Sequence, residues 1–453
     1  MTIQTTLEMR KQELSRRVGG LPLEVKDWKA RTQAEVDNNL HFSQLNAIGV
    51  FMNAFCDQQA QLLAQMDPAG DLAAFQANML ELIKNIIRSQ KAWDFFRDKL
   101  DLRFSPDFKD ILWVADTVAW DCYRPVLESA AAQGILNTDE LREAPLTYLI
   151  ADFSPYTWSR GSRPNDGRNY DLGTTTLPIP VIALPWDLVQ NIWEIMALHH
   201  EVGHDLEADL NLRAPLSAAL QAKLTQAGVP KARIQQWLAW QGELFADLVG
   251  LQLGGPAFAE ALLNMFLLPI AMVTTPDPSD PHPTYYPRIL MNAAYIPTLI
   301  PGNQALVDHG QQIAGRWTAV YGPQPQFQPV MQDFPLVYQA LMDQPLLGLK
   351  GKCVRDLLPY TAVDDLKITN AAGYIETGMN KPKALRPRHC ISAARLAVTQ
   401  AALDGTLTDA LMDQINQRTA ALVRENAEDG LHGGSDSSAH KKFIASFVNL
   451  IQL

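Results

Sequence analysis

Two stretches in the middle of the chain have the apolar spacing of buried helices. The first covers residues 188–206, is apolar nearly all round, and follows Asp187, which is a candidate N-cap. The second opens at Pro230, runs through residues 234–251, and ends at the stop signal Gly254-Gly255-Pro256. The pattern therefore predicts two helices that pack inside the protein.

The flanks of the chain are also dominated by helical periodicity. It covers residues 72–100 near the N-terminus and 304–321, 334–342, 391–403 and 407–424 near the C-terminus. Two short β-like stretches, 145–153 and 179–184, precede the first central helix, and Pro180 confines the latter to an edge strand or a strand start. We expect a mainly α fold with a small antiparallel β-sheet, divided into regions 1–110, 111–300 and 301–453.

Composition narrows the class of protein. Of the 453 residues, 47% are hydrophobic and 19% are charged, which is typical of a folded globular chain. The net charge of −11 argues against a nucleic-acid-binding surface. The longest apolar stretch, 257–273, is interrupted by Glu260, Asn264 and Pro269, so it is expected to be a core helix and not a membrane span.

The N-terminus and the cysteines suggest a location. The first residues lack the apolar region of a signal peptide. The cysteines show no metal-binding spacing and are expected to be buried reduced thiols; they are Cys56, Cys122, Cys353 and Cys390. These observations favour a cytoplasmic protein.

The first central helix carries the motif His200-Glu201-x-x-His204. Residues at i and i+4 lie on one face of a helix, so both imidazoles can bind one metal ion. Glu201 can then reach a water molecule at that metal. This is the arrangement of a zinc hydrolase, in which two neutral His ligands are joined by a carboxylate that acts as general base.

The second central helix offers a third ligand. Glu243 and Asp247 stand at i and i+4, where two like charges repel each other. A zinc ion resolves the conflict if Glu243 binds it and Asp247 accepts the N–H of a ligating His. The alternative is a solvated acidic face. After the His motif, we expect Asp205, Glu207 and Asp209 to face water, although Asp205 could also support a ligand.

Together, His200-Glu201-x-x-His204 and Glu243-x-x-Ala246-Asp247 resemble the gluzincin metallopeptidases. The second motif looks most like the group that contains the CAAX-prenyl endopeptidases and the heat-shock membrane proteases. The resemblance covers about residues 145–295 and implies a zincin-like α+β core, wrapped here by helical N- and C-terminal regions. Those relatives are embedded in membranes and this chain shows no span, so their substrates are not carried over.

A further segment agrees with this resemblance. The proline-rich stretch that contains His282, Tyr285, Tyr286 and Arg288 is similar to the His-Pro-…-Arg segment that follows the zinc site in that group. The resemblance implies that His282, together with Tyr285, Tyr286 or Arg288, stabilises the oxyanion opposite the zinc. Which of these residues does so is left open by the sequence.

The expected function is that of a zinc-dependent metallopeptidase with Zn²⁺ on His200, His204 and Glu243, and Glu201 as general base. The resemblance to gluzincins implies that a peptide or protein substrate would lie along an edge strand of the small sheet. One alternative is a zinc hydrolase that acts on a non-peptide bond. Another is a helical interaction scaffold with a silent zinc site. We expect no nucleic acid partner and no membrane span, and the oligomeric state is open.

Overall fold

The computed structural model describes residues 2–37, 42–137, 142–164, 176–277 and 280–427. It is 74% helical and contains one small sheet, which confirms the predicted mainly α fold. The described chain divides into two compact units: residues 2–113 with 158–181, and residues 114–157 with 182–427. The three regions 1–110, 111–300 and 301–453 were drawn from sequence patterns, and this division stays a prediction.

The first unit is built on long helices. Asp71 accepts a hydrogen bond from the backbone N–H of Ala74 and so caps the longest of them. The buried side chains of Phe75 and Leu82 pack with Leu14 into one apolar cluster, as the helical spacing predicts. The helices are α1 (Ile3–Val18), α2 (Gly20–Asp37), α3 (Phe42–Gln65) and α4 (Leu72–Asp101).

The second unit holds all the residues singled out for chemistry. Its C-terminal helices lie close to the predicted positions, and none of the described helices is long and apolar enough to cross a membrane. Its helices, the first of which begins in the other unit, are α5 (Lys109–Ala132), α6 (Ala197–Asp209), α7 (Arg213–Gln226), α8 (Lys231–Gly254), α9 (Pro256–Met265), α10 (Ile270–Thr274), α11 (Tyr285–Leu299), α12 (Gln304–Tyr321), α13 (Gln328–Tyr338), α14 (Val354–Leu357), α15 (Ala362–Thr377), α16 (Pro387–Leu403) and α17 (Asp409–Asn426).

The sheet is mixed, where an antiparallel sheet was expected. Its strands are β1 (Leu146–Ile150), β2 (Tyr156–Trp158) and β3 (Val181–Pro185), in the order β1-β3-β2. β1 and β2 run in opposite directions, and β3 lies between them. β3 is therefore parallel to one neighbour and antiparallel to the other. Pro180 precedes β3 directly, so it lies at a strand start as predicted.

The helix with the His motif begins later than predicted. Two 3₁₀ turns, Trp186–Gln190 and Ile192–Met196, replace its expected first half. Between them Asn191 has the non-helical angles φ −128° and ψ 87°. The break is held by Asn416 of α17, whose side chain accepts the N–H of Ile192 and donates to the carbonyl of Gln190. The side chain of Asp187, the predicted cap, lies outside the described residues.

Two further expectations need correction. The stretch 257–273 is not one core helix, because α9 ends at Met265 and residues 267–272 are largely exposed. Three of the four cysteines are buried, but Cys353 is only half-buried.

Helices α6 and α8 pack directly against each other, and a glycine permits the contact. A Cβ atom on Gly203 would lie 2.8 Å from the Cα of Ala246, closer than real Cβ contacts allow. The two central helices therefore approach backbone to backbone. This close approach brings the polar side chains of the two predicted motifs together.

Candidate metal centre

Three side chains from two helices converge on one point. His200 and His204 come from α6 and Glu243 comes from α8, and one ligand atom of each lies within 4.8 Å of the others. In the part of the chain that the structure describes, this is the group of His, Cys, Asp or Glu residues that could hold a metal ion. The predicted ligands are thus placed together, at the distances that a metal ion can bridge.

The first His is oriented by an acceptor on α8. His200 Nδ1 lies 2.9 Å from the Asp247 carboxylate, which can only accept, so Nδ1 carries a proton. The opposite nitrogen, Nε2, is thereby turned to the centre, 3.1 Å from His204 Nε2 and 3.3 Å from Glu243 Oε2. A carboxylate behind a ligating His is the usual support of a metal site.

The electrostatics favour one positive charge at this point. Burial alone would lower the pKa of His200, but the carboxylates of Asp247 and Glu243 raise it to about 10. Burial and the charge of His200 lower the pKa of His204 to about 3, so His204 is neutral. The two carboxylates thus favour a positive charge on His200, whose Nε2 lies where the three ligand atoms meet. A metal cation can take its place, because ligands must lose their protons to bind.

The carboxylate of Glu243 is charged and incompletely satisfied. Burial would raise its pKa, but His200 and Arg288 hold the pKa of Glu243 well below its ordinary value. Its Oε2 is buried and makes no hydrogen bond of acceptable geometry. A buried carboxylate oxygen without a hydrogen bond is costly, and a cation at the centre would satisfy it.

Glu201 lies on α6 between the two His residues in sequence. Its side chain is buried, and burial raises the pKa of Glu201 to about 7. A carboxylate with a pKa near the working pH is suited to accept and return a proton. The position and the environment of Glu201 therefore match those of a general base.

Arg288 lies behind the ligands. Its guanidinium is almost fully buried and donates two hydrogen bonds to Asp247, of 2.7 and 2.8 Å. Asn292, one turn later on α11, donates to the same carboxylate at 3.1 Å. Asp247 is thus fixed from α11 while it accepts the proton of His200. Arg288 therefore holds the carboxylate that faces His200.

His282 lies at the rim of the centre. Its Nε2 is 3.3 Å from Glu243 Oε2, while its Nδ1 is 2.6 Å from Asp280. The backbone N–H of His282 also donates to Asp280, which closes a tight local turn. The side chain is 44% exposed, so a substrate can reach it.

The two neighbouring tyrosines point elsewhere. The ring of Tyr285 stacks on Phe266 with centroids 4.3 Å apart. The hydroxyl of the buried Tyr286 donates to the carbonyl of Gly322, and its ring stacks on Phe327. Among the residues proposed to stabilise the oxyanion, His282 is the one whose side chain is half exposed and also contacts Glu243, a candidate metal ligand.

The acidic residues after the motif do not face water. Asp205 is fully buried and accepts a hydrogen bond from Thr157 of β2, and Glu207 is buried against Gln241 of α8. The side chain of Asp209 is only 5% exposed and accepts from Tyr123 of α5. The expectation of an acidic surface is therefore wrong, because the sheet and the adjacent helices cover the C-terminal half of α6.

Sequence reasoning missed three contributors: Gly203, Asp280 and Asn292. Asn292 follows Arg288 at i+4 and so shares its face, which is a signal that could have been used. Asp280 stands two residues before His282, the spacing of a side chain that hydrogen-bonds the backbone ahead of it. The need for a glycine at position 203 depends on how closely α8 approaches, which the sequence does not reveal.

Comparison with family models, with curated proteins and with solved structures gives no match to this chain.

Proposed function

We propose that this protein is a zinc-dependent metallopeptidase. The observation that carries the proposal is the convergence of His200, His204 and Glu243 within 4.8 Å, with a buried carboxylate one residue after the first His. Two imidazoles and one carboxylate form a ligand set of catalytic zinc. A zinc ion bound there supplies a Lewis acid that acidifies water and polarises a carbonyl group.

The ligand count supports a catalytic role over a structural one. Structural zinc sites are closed by four protein ligands, whereas catalytic sites keep a position open. Among the described residues, the group contains three ligands. His282 contacts Glu243 but stays outside that group. The site therefore leaves room for water and substrate.

Two side chains of the chain handle the proton transfer and the hydrogen bonding of the reaction. Glu201 removes a proton from the attacking water molecule as the water oxygen bonds to the scissile carbonyl carbon. When the C–N bond breaks, Glu201 returns that proton to the leaving amine. His282, at the exposed rim of the centre, would donate a hydrogen bond to the oxygen that gains negative charge. Asp247 and Arg288 hold His200 in position throughout.

The sheet favours an extended polypeptide as substrate. Among the described strands, β2 lies at one end of the sheet and its residues are half-buried, while those of β1 and β3 are buried. The hydroxyl of Thr157 in β2 donates to Asp205 of α6, the residue directly after a zinc ligand. An extended peptide that binds along this side of the sheet would lie close to the metal centre. This arrangement supports a peptide bond as the bond that the enzyme cleaves.

The direct test is digestion of a mixed peptide library by the zinc-loaded full chain, with products sequenced by mass spectrometry. We expect new peptide termini in the zinc-loaded sample, their loss after a chelator, and their return when zinc is restored. Cleavage that survives the chelator at undiminished rate would contradict the proposal. So would a zinc-loaded protein that cleaves small amides or esters but no peptide.

A further inference from the structure

The surface beside the metal centre carries an unusual run of apolar residues. Residues 267–272, here called the apolar segment, read Leu-Leu-Pro-Ile-Ala-Met, and all but Leu268 are exposed. Ile270 and Met272 expose 55% and 57% of their surface. Runs of consecutive exposed apolar residues are rare on folded proteins and mark binding surfaces.

The apolar segment is linked to the metal ligands by two contacts. Arg288 lies 3.6 Å from Glu243 Oε2, and its guanidinium carbon is 5.3 Å from the ring centroid of Phe266. The segment follows Phe266 directly in the chain. Phe266 also stacks on Tyr285, which comes three residues after His282. The apolar segment thus begins directly after a residue that packs on both Arg288 and Tyr285, close to the rim of the metal centre.

The backbone of the segment is fixed, so its side chains are held outward. The hydroxyl of Tyr321, at the end of α12, donates to the carbonyl of Leu268 at 2.7 Å. Val273 is fully buried and anchors the C-terminal end of the segment in the core. A surface held in this way needs little ordering when it binds a partner, which favours affinity.

Charge disfavours a membrane as the occupant. The chain contains no Lys or Arg between Arg233 and Arg288, and Asp277 and Asp280 follow the segment. Segments that bind cellular membranes combine apolar residues with basic ones, which attract anionic lipids. An apolar surface with acidic neighbours, next to a site for peptides, fits uncharged apolar side chains instead.

We propose that the apolar segment binds apolar side chains of the polypeptide substrate that flank the scissile bond, and so directs cleavage to apolar sequences. This inference rests on the proposed peptidase function. It adds a substrate class to that function: extended or unfolded polypeptides in which Leu, Ile, Phe or Met lie close to the cleaved bond.

The test compares two double variants of the full chain. Ile270→Ser with Met272→Ser removes the centre of the segment. Val363→Ser with Leu366→Ser is the matched control, since these α15 residues are 61% and 60% exposed and make no part of the site. The substrates are two peptides that share a cleaved bond found by library digestion, one flanked by Leu and one by Ser.

For the Leu-flanked peptide, the segment variant should raise KM about tenfold or more, with kcat and zinc content unchanged. For the Ser-flanked peptide it should change little, and the control variant should match the wild type with both. Equal effects on the two peptides, or equal effects of the two variants, would overturn the inference.

Other occupants give other results, each of which overturns it. Sedimentation with phosphatidylcholine and phosphatidylserine vesicles that is lost in the segment variant would assign the surface to a membrane. A dimer in light scattering that becomes a monomer in that variant would assign it to a second copy of the chain.

Binding without cleavage separates the two proposals. A fluorescein-labelled Leu-rich peptide is titrated into the zinc-loaded wild type and both variants. Weaker binding to the segment variant alone, in a protein that cleaves no peptide, would retain the surface and reject the peptidase. Cleavage with equal binding to all three proteins would reject the surface and retain the peptidase.

Discussion

Replacing Glu201 with glutamine should remove nearly all peptide cleavage while the protein keeps its zinc. The substitution preserves size and removes the carboxylate that accepts the proton of water, a loss worth about 10²- to 10⁴-fold in rate. Zinc should remain because Glu201 is not among the three converging ligands. The measurement is kcat on a library-derived peptide, beside zinc content and circular dichroism of the same sample.

Glu207→Gln is the matched control for that variant. Glu207 is a second buried glutamate of α6, bonded to Gln241 and paired with Arg213, and it is not a predicted site residue. This control should cleave at close to the wild-type rate. A Glu201→Gln protein that cleaves as fast as the control would refute the assigned mechanism.

Replacing Asp247 with alanine should cost both stability and metal affinity. Arg288, which is almost fully buried, would lose its partner, and breaking a buried ion pair in this way costs about 3–5 kcal/mol. His200 would lose the acceptor that orients its ring, which typically weakens a metal site 10- to 100-fold. Urea unfolding of the metal-free protein measures the first effect, and competition with a zinc-binding dye measures the second.

Asp333→Ala provides the comparison, because Asp333 pairs with Arg233 and also accepts from Trp237, both on α8. It should lower the free energy of unfolding and leave the zinc affinity at the wild-type value. If the two variants weaken zinc binding equally, the effect of Asp247 is one of stability alone. Its assigned role in orienting His200 would then be wrong.

The elements that carry the site could be predicted because their signals are local. The i, i+4 spacing of His200 and His204 depends on one helix, and the Gly254-Gly255 stop depends on adjacent residues. Glu243 was predicted as a ligand because the His motif precedes it; without that motif, two carboxylates one turn apart would have indicated a solvated acidic face. Local periodicity, together with the spacing of the His motif, was enough for these predictions.

What the sequence could not supply depends on contacts between distant segments. The start of α6 is set by Asn416, more than two hundred residues away, through its hydrogen bonds to Ile192 and Gln190. The burial of Asp205 depends on where β2 lies, and the mixed sheet depends on the insertion of β3. The exposure of residues 267–272 likewise follows from how α9 ends and α10 packs.

Zinc stoichiometry of the purified wild type beside Glu243→Ala tests the metal centre most directly, with folding matched by circular dichroism. The ligand geometry predicts one zinc per wild-type chain, bound through His200, His204 and Glu243, and clearly weaker binding in the variant. Equal zinc binding by the two proteins would remove Glu243 from the site. A wild type that takes up no zinc on reconstitution would contradict the metal centre itself.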